Sequence, residues 1–209
     1  DTIDYTKIDL NRFNDTHIEV LNHINLFKWL GLSTGYVFHT RHAVDERSFE
    51  LAKRPFIYRS FAPSIQLELH PWNIGPLFTF NYERGIKGIS KSDVGYEKFE
   101  FDAGYKFKLM RLRTLSFRAG GGFYTDKGSD IFVDYSNFRD NNLPENWNDD
   151  WSGQFQLLND IWYNSSKYYI RTNFSYESPM LFLTWMPFLG KYIEMERLYA
   201  STLWVDRLH

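Results

Sequence analysis

The chain has 209 residues, a net charge of −2 and no cysteine. Its 24 basic and 26 acidic residues are nearly balanced, which argues against a nucleic-acid partner drawn by a basic surface. Without cysteine, disulfides, thiol catalysis and thiolate-ligated metals are excluded. The aromatic fraction stands out at 19%, with 19 Phe, 14 Tyr and 7 Trp. Aromatic residues favour strands and gather at the two rims of membrane barrels. An aromatic-rich soluble β core would give the same composition.

The opening DTIDYTKIDL is polar and acidic, unlike a secretory leader. An exported protein with this opening is expected to be a mature chain or an internal piece. No segment reaches the roughly 18 apolar residues of a membrane helix. What recurs instead is period-two alternation, the signature of a strand with one apolar face.

It begins with Ile18, Val20, Ile24 and Leu26 against His17, Glu19, His23 and Asn25. Leu30, Leu32, Tyr36 and Phe38 then alternate with Gly31, Ser33, Gly35 and His39, and Ile65, Leu67 and Leu69 with Gln66, Glu68 and His70. The run from His70 to Pro76 is rich in breakers and reads as a short turn. Phe78, Phe80 and Tyr82 resume the pattern.

The clearest case is Lys98 to Met110. Phe99, Phe101, Tyr105, Phe107 and Leu109 share one face, the candidate lipid face. Lys98, Glu100, Asp102, Lys106 and Lys108 share the other, the candidate lumen face. A helix, with its period of about 3.6, would mix the two sets. The charged face either lines a pore and biases it toward particular ions or pairs with charges on adjacent strands and plugs the lumen.

Lys108 to Thr114 leaves room only for a tight reversal. Leu115, Phe117, Ala119, Gly121 and Phe123 then oppose Ser116, Arg118, Gly120 and Gly122. Three consecutive glycines inside a strand suggest a bend, a bulge or the close approach of a neighbour. Arg139 to Ser152 is a long, polar, acidic loop. Tyr168, Ile170, Thr172, Phe174 and Tyr176 form the last clear apolar face. Ser178 to Gly190 is the most apolar stretch, and Pro179 and Pro187 keep it from being a regular strand or long helix. It reads as a membrane-interface turn with Trp185 at headgroup level, or as a buried connector in a soluble core. Trp72 and Trp162 are further candidates for the membrane interface.

Roughly ten strands are expected, several of ten residues or more. Globular strands average about five or six, whereas a tilted strand needs about nine to eleven to cross a bilayer. Length therefore favours the membrane over a soluble sandwich. With no helical segments between strands, an up-and-down antiparallel meander is expected.

Catalytic and metal motifs are sparse. His39 and His42 fall on opposite strand faces, and His17 and His23 stand about 20 Å apart along one, so neither pair makes a metal site by itself. Asp149 and Asp150 would suit calcium, but a solvated surface loop is the stronger expectation. No serine sits in a G-x-S-x-G elbow. The three glycosylation sequons, at Asn14, Asn164 and Asn173, require a eukaryotic secretory setting. No enzyme activity and no cofactor are expected.

The stretch Trp151 to Asn159, then Trp162-Tyr163-Asn164, Tyr168 to Asn173 and Tyr176-Glu177-Ser178-Pro179, resembles a family of large outer-membrane proteins of Bacteroidetes-type bacteria. So do Trp185 to Arg197 and, upstream, Tyr82 to Gly88. The resemblance spans about residues 76 to 206. Its members are of unknown function, and many carry an N-terminal carboxypeptidase-regulatory-like β-sandwich ahead of the barrel. The resemblance implies an outer-membrane location and a barrel architecture, and it supplies no catalytic residue. It also implies that residues 1–209 are a single β-barrel domain, an internal fragment of a longer chain.

The expectation is thus an all-β chain forming all or part of a transmembrane barrel in the outer membrane. Its partners would be the lipid bilayer and other outer-membrane or periplasmic proteins. Its role would be solute passage or protein export and assembly. The alternative is a soluble β-barrel that binds an apolar ligand in an aromatic interior.

Overall fold

The computed structural model describes residues 13–51, 53–72, 75–109, 112–127, 155, 167–179, 181–186, 188, 192 and 194–205. Eight strands follow one another in chain order: β1 (Phe13–Phe27), β2 (Leu30–Ala43), β3 (Ile57–Leu69), β4 (Leu77–Gly85), β5 (Tyr96–Lys108), β6 (Thr114–Lys127), β7 (Tyr168–Ser178) and β8 (Glu196–Val205). They form a single sheet in the order β1 to β8, every neighbour antiparallel. This is the expected meander. Among the described residues no ladder joins β1 to β8, so the sheet has two edges. Strand lengths run from 9 to 15 residues, well beyond the usual five or six.

Seven of these strands coincide with the alternating segments of the sequence. The sequence reading expected roughly ten strands in the whole chain, and the described residues hold eight. The eighth, β8, has no clean alternation. Leu198, Ala200 and Trp204 fall on one side, but Tyr199 and Leu203 fall on the other. Its apolar content is split between both faces, which hides the period.

Connections alternate between the two ends of the strands. β1, β3, β5 and β7 end, and β2, β4, β6 and β8 begin, at one end of the sheet, here the near rim. β2, β4 and β6 end, and β3, β5 and β7 begin, at the far rim, where residues 86–95 connect β4 to β5. The long acidic stretch 139–152 and Trp162 lie outside the described residues.

At the far rim, two connections fold over the sheet. A one-and-a-half-turn helix, α1 (Glu46–Leu51), starts at Asp45, whose carboxylate accepts the Ser48 backbone N–H at 3.2 Å and the Ser48 hydroxyl. This is the capping arrangement expected of Asp before a helix. Phe49 of α1 and Val94 of the 86–95 connection pack with Ala43, Tyr58, Ala62 and Tyr96 into a buried apolar cluster. Beyond the end of β4, the same connection runs beside β3, with Ile86 N–H donating to Phe61 O at 3.0 Å and Asp93 N–H to Arg59 O at 2.9 Å.

Candidate functional site

Register sorts the side chains into two faces across the whole sheet. Directly opposed residues of neighbouring antiparallel strands point to the same side. One row reads Ile24, Leu32, Leu67, Phe80, Phe101, Gly121, Ile170 and Trp204 from β1 to β8. Seven strand-to-strand steps of about 4.8 Å make it about 34 Å wide. Another, on the opposite side, reads His23, Ser33, Gln66, Asn81, Glu100, Gly122, Tyr169 and Val205. A one-residue slip in any strand would exchange its two faces, so the pairing of apolar with apolar fixes the register.

On the strands, the polar face is more buried than the face that carries the large apolar side chains. The buried polar and charged residues include Ser33, Ser60, Ser64, Glu83, Arg118 and Arg171, all on the polar face. The apolar face is left open: Val20, Ile65, Phe101, Phe117, Ile170 and Trp204 are exposed by between 43% and 73%. Its rings pack on one another sideways, Phe99 on Phe123 at 5.1 Å and on Tyr82 at 4.8 Å between centroids. Toward the far rim the band ends in polar contacts, where the Tyr82 hydroxyl donates to Glu97 at 2.6 Å and Thr125 donates to the same carboxylate.

The middle of the polar face is a network of charges from four adjacent strands. On β5, Asp102 is held by two arginines. Arg118 of β6 donates from Nε and Nη2, each at 3.1 Å, to the two oxygens. Arg171 of β7, two strands away, donates from Nε at 3.2 Å and from Nη2. Lys98 bridges Glu83 of β4 at 3.2 Å and Glu100 at 3.3 Å. Tyr96 donates to Glu83, and Tyr169 of β7 donates to Glu100 at 2.7 Å. The Arg171 guanidinium lies 5.8 Å from the Tyr169 ring centre. Three carboxylates face three cations, so the cluster is neutral as a whole. Forked arginine–carboxylate pairs are among the strongest polar contacts, and the Arg118 side chain is only 1% exposed.

Two of the three glycines, Gly120 and Gly122, explain how contacts reach across a whole strand. Glu100, Gly122 and Tyr169 stand in one row, as do Asp102, Gly120 and Arg171. A Cβ on Gly120 would land on the Asp102 carboxylate, and one on Gly122 would come within 2.5 Å of the Tyr169 ring. The missing side chains of β6 are the gap through which β5 and β7 touch. Of the meanings that glycine has within a strand, this is close approach.

The sequence-predicted residues divide between these features. Lys98, Glu100 and Asp102 are brought together in the network, while Lys106 and Lys108 are exposed nearer the near rim. Phe99, Phe101, Tyr105 and Phe107 lie on the apolar face; Leu109 follows the strand and is 48% exposed. Trp72 and Trp185 stand on near-rim connections, 64% and 75% exposed, and Trp29 and Phe27 flank the first near-rim turn.

Residues 70–209 match the C-terminal domain of a family of unknown function (DUF5686). The chain belongs to that family. No curated protein and no solved structure matches it. The family domain begins at the end of β3, so it contains β4 to β8 and the entire charge network.

Within the family domain, sequence reading did not single out Glu83, Arg118, Tyr169 and Arg171 as site residues. Each acquires its role only through the register, which sets its partners on other strands. The glycine run was the available signal, because it marks where neighbours must meet. Elsewhere on the polar face, His17 and His39 stand opposite one another on β1 and β2 and stack at 4.4 Å. His23 contacts Ser33 at 2.9 Å. Among the described residues no group of three or more His, Asp or Glu side chains converges to hold a metal.

Proposed function

We propose that the chain forms all or part of the wall of an integral outer-membrane β-barrel, with its apolar face against lipid and its polar face toward the lumen. The observation that carries this is the inverted burial. Scattered exposed apolar side chains are ordinary, but soluble monomers rarely expose contiguous apolar patches beyond a few hundred Å². Here the apolar face crosses all eight strands. Each large side chain on it would gain about 1.5–3 kcal/mol on leaving water, and a bilayer provides that medium on one side only.

Three further features support the reading. The strands are long enough to cross a hydrocarbon core at a tilt. The polar face is internally paired, as a lumen wall must be once shielded from bulk water. Tryptophans and other rings gather at the near rim, where membrane barrels place their interfacial girdles. The resemblance to Bacteroidetes-type outer-membrane proteins supports the compartment. In this reading Phe99, Phe101, Tyr105, Phe107 and Leu109 face lipid, Lys98, Glu100, Asp102, Lys106 and Lys108 face the lumen, and Trp72 and Trp185 sit at the interface. The role is solute passage or protein export and assembly rather than catalysis. In a bilayer, the edges of β1 and β8 must be satisfied by strand pairing.

A soluble barrel with an aromatic interior would need the reverse arrangement of faces. The test is fractionation of the expressed protein and gel migration with and without heating. Recovery in outer membranes, dependence on detergent and a heat-dependent change of migration are the expected results. Clean solubility as a monomer without detergent would overturn the proposal.

A further inference from the structure

Among the described residues, the connection from β7 to β8 carries several of the most exposed apolar side chains. Phe182, Trp185, Phe188 and Tyr192 are exposed by 72%, 75%, 88% and 84%. An unanchored apolar segment would fold back onto the protein. The start of this one is fixed by a buried side chain. Glu196, the first residue of β8 and only 9% exposed, accepts the backbone N–H groups of three consecutive residues: Leu181 at 2.6 Å, Phe182 at 2.9 Å and Leu183 at 2.5 Å. Successive N–H groups converging on one anion form a rigid nest, and a carboxylate accepting several backbone N–H bonds makes charge-assisted contacts. A single 3-10 turn, Leu183–Trp185, follows directly, and the Met186 N–H closes it on Leu183 O at 3.1 Å.

We infer that the described residues of this connection, 181–186, 188, 192, 194 and 195, form a membrane-surface foot, pinned by Glu196 and seated in the headgroup region of the near-rim leaflet. This rests on the barrel reading of the apolar face. The occupant is lipid because the foot stands at the same rim as the exposed Phe27, Trp29 and Trp72, at the end of the strands that carry the apolar face. Its composition of Trp, Tyr, Phe and Met is that of interfacial anchors, whose rings prefer the headgroup boundary to either water or acyl chains. Lys28 is exposed at the same rim, and its charge complements lipid phosphate. Glu196 is a positioning residue: it touches no lipid but fixes the backbone that does.

The absence of cysteine allows one spin label to be placed at a time. Labels at Phe188→Cys, at Phe101→Cys on the apolar face and at Arg47→Cys on α1 are compared in the protein reconstituted into phosphatidylcholine/phosphatidylglycerol vesicles. Collision with oxygen reports acyl chains, and collision with a water-soluble nickel chelate reports water. The expected result is an oxygen-rich Phe101 label, a water-exposed Arg47 label and a Phe188 label between the two. In Glu196→Gln, the Phe188 label should gain nickel access severalfold while the Phe101 label stays unchanged; heat-dependent gel migration checks that the variant is folded. If the Phe101 label is in lipid but the Phe188 label matches Arg47, the foot is refuted and the barrel stands. A Phe101 label in water refutes the barrel reading itself. An unchanged Phe188 label in folded Glu196→Gln removes Glu196 from the anchor.

Discussion

Replacing Asp102 by Ala removes the one carboxylate shared by two arginines. The structure sets the scale. The Arg118 and Arg171 side chains are 1% and 6% exposed, and together they direct four N–H groups at that carboxylate. Taking away one partner of a buried ion pair costs about 3–5 kcal/mol, mostly because the remaining charge stays desolvated. The two pairs share an anion, so their costs do not simply double. A loss of about 3–5 kcal/mol is expected for D102A, read as the shift in urea midpoint during reversible unfolding in micelles. With a urea slope of about 1–3 kcal/mol per M, that is a shift of more than about 1 M. Lys106→Ala, at an exposed position on the same strand, should stay within about 0.5 kcal/mol. Adding Arg171→Leu to D102A restores the balance of charge in the cluster, so the double variant should lose less than the sum of the single losses, by about 1–3 kcal/mol. A D102A loss below about 1 kcal/mol, the range of exposed pairs, would refute the claim that this network is buried.

Other perturbations test neighbouring links. Gly122→Ala puts a Cβ 2.5 Å from the Tyr169 ring and should destabilise by about 1–3 kcal/mol through overpacking; pairing it with Tyr169→Ala should relieve the clash, which the same unfolding assay would show. Phe101→Arg, in the middle of the apolar row, should cost about 2–4 kcal/mol in vesicles if that row meets the bilayer midplane, and an unchanged midpoint would argue against lipid contact. The Ser48 hydroxyl and backbone N–H hold the Asp45 carboxyl below its ordinary range. Its contribution to α1 is therefore fully present above the unfolded-state value of about 3.9 and is lost as pH falls through the lower folded value. An NMR titration following the Ser48 amide should show its midpoint below about 3.9, and a midpoint at or above that value would contradict the cap.

Much of the fold was legible because a sheet with one apolar and one polar face writes its period into the sequence. The alternation of Phe99, Phe101, Tyr105 and Phe107 with Lys98, Glu100, Asp102 and Lys106 could be read from β5 alone, and seven strands announce themselves in this way. Partnership could not be read. Whether Asp102 meets Arg118, Arg171 or neither depends on the offsets between β5, β6 and β7, and a register is a property of pairs of strands. Only Gly120 and Gly122 hinted at it, as places where something had to come close. The role of Glu196 was hidden for a related reason: its three partners are backbone N–H groups, which every sequence carries and no sequence marks.

The neutrality of the network bears on what such a wall does. A filter that selects ions by sign needs charges left over to act on the permeant species. Here Glu83, Glu100 and Asp102 are matched by Lys98, Arg118 and Arg171, and Tyr96 and Tyr169 take up further acceptor capacity. Of the two sequence-level readings of the charged strand face, the geometry favours charges that pair across strands over charges that line a conduit. On the barrel reading, any discrimination at this level rests on size and shape. Sign-dependent attraction falls to charges of the polar face outside the network, among them Lys106 and Lys108, which stand exposed between the network and the near rim. A dedicated binding surface, if the lumen has one, is therefore expected on that side of Asp102, because on the other side Phe49 and Val94 already cover the polar face.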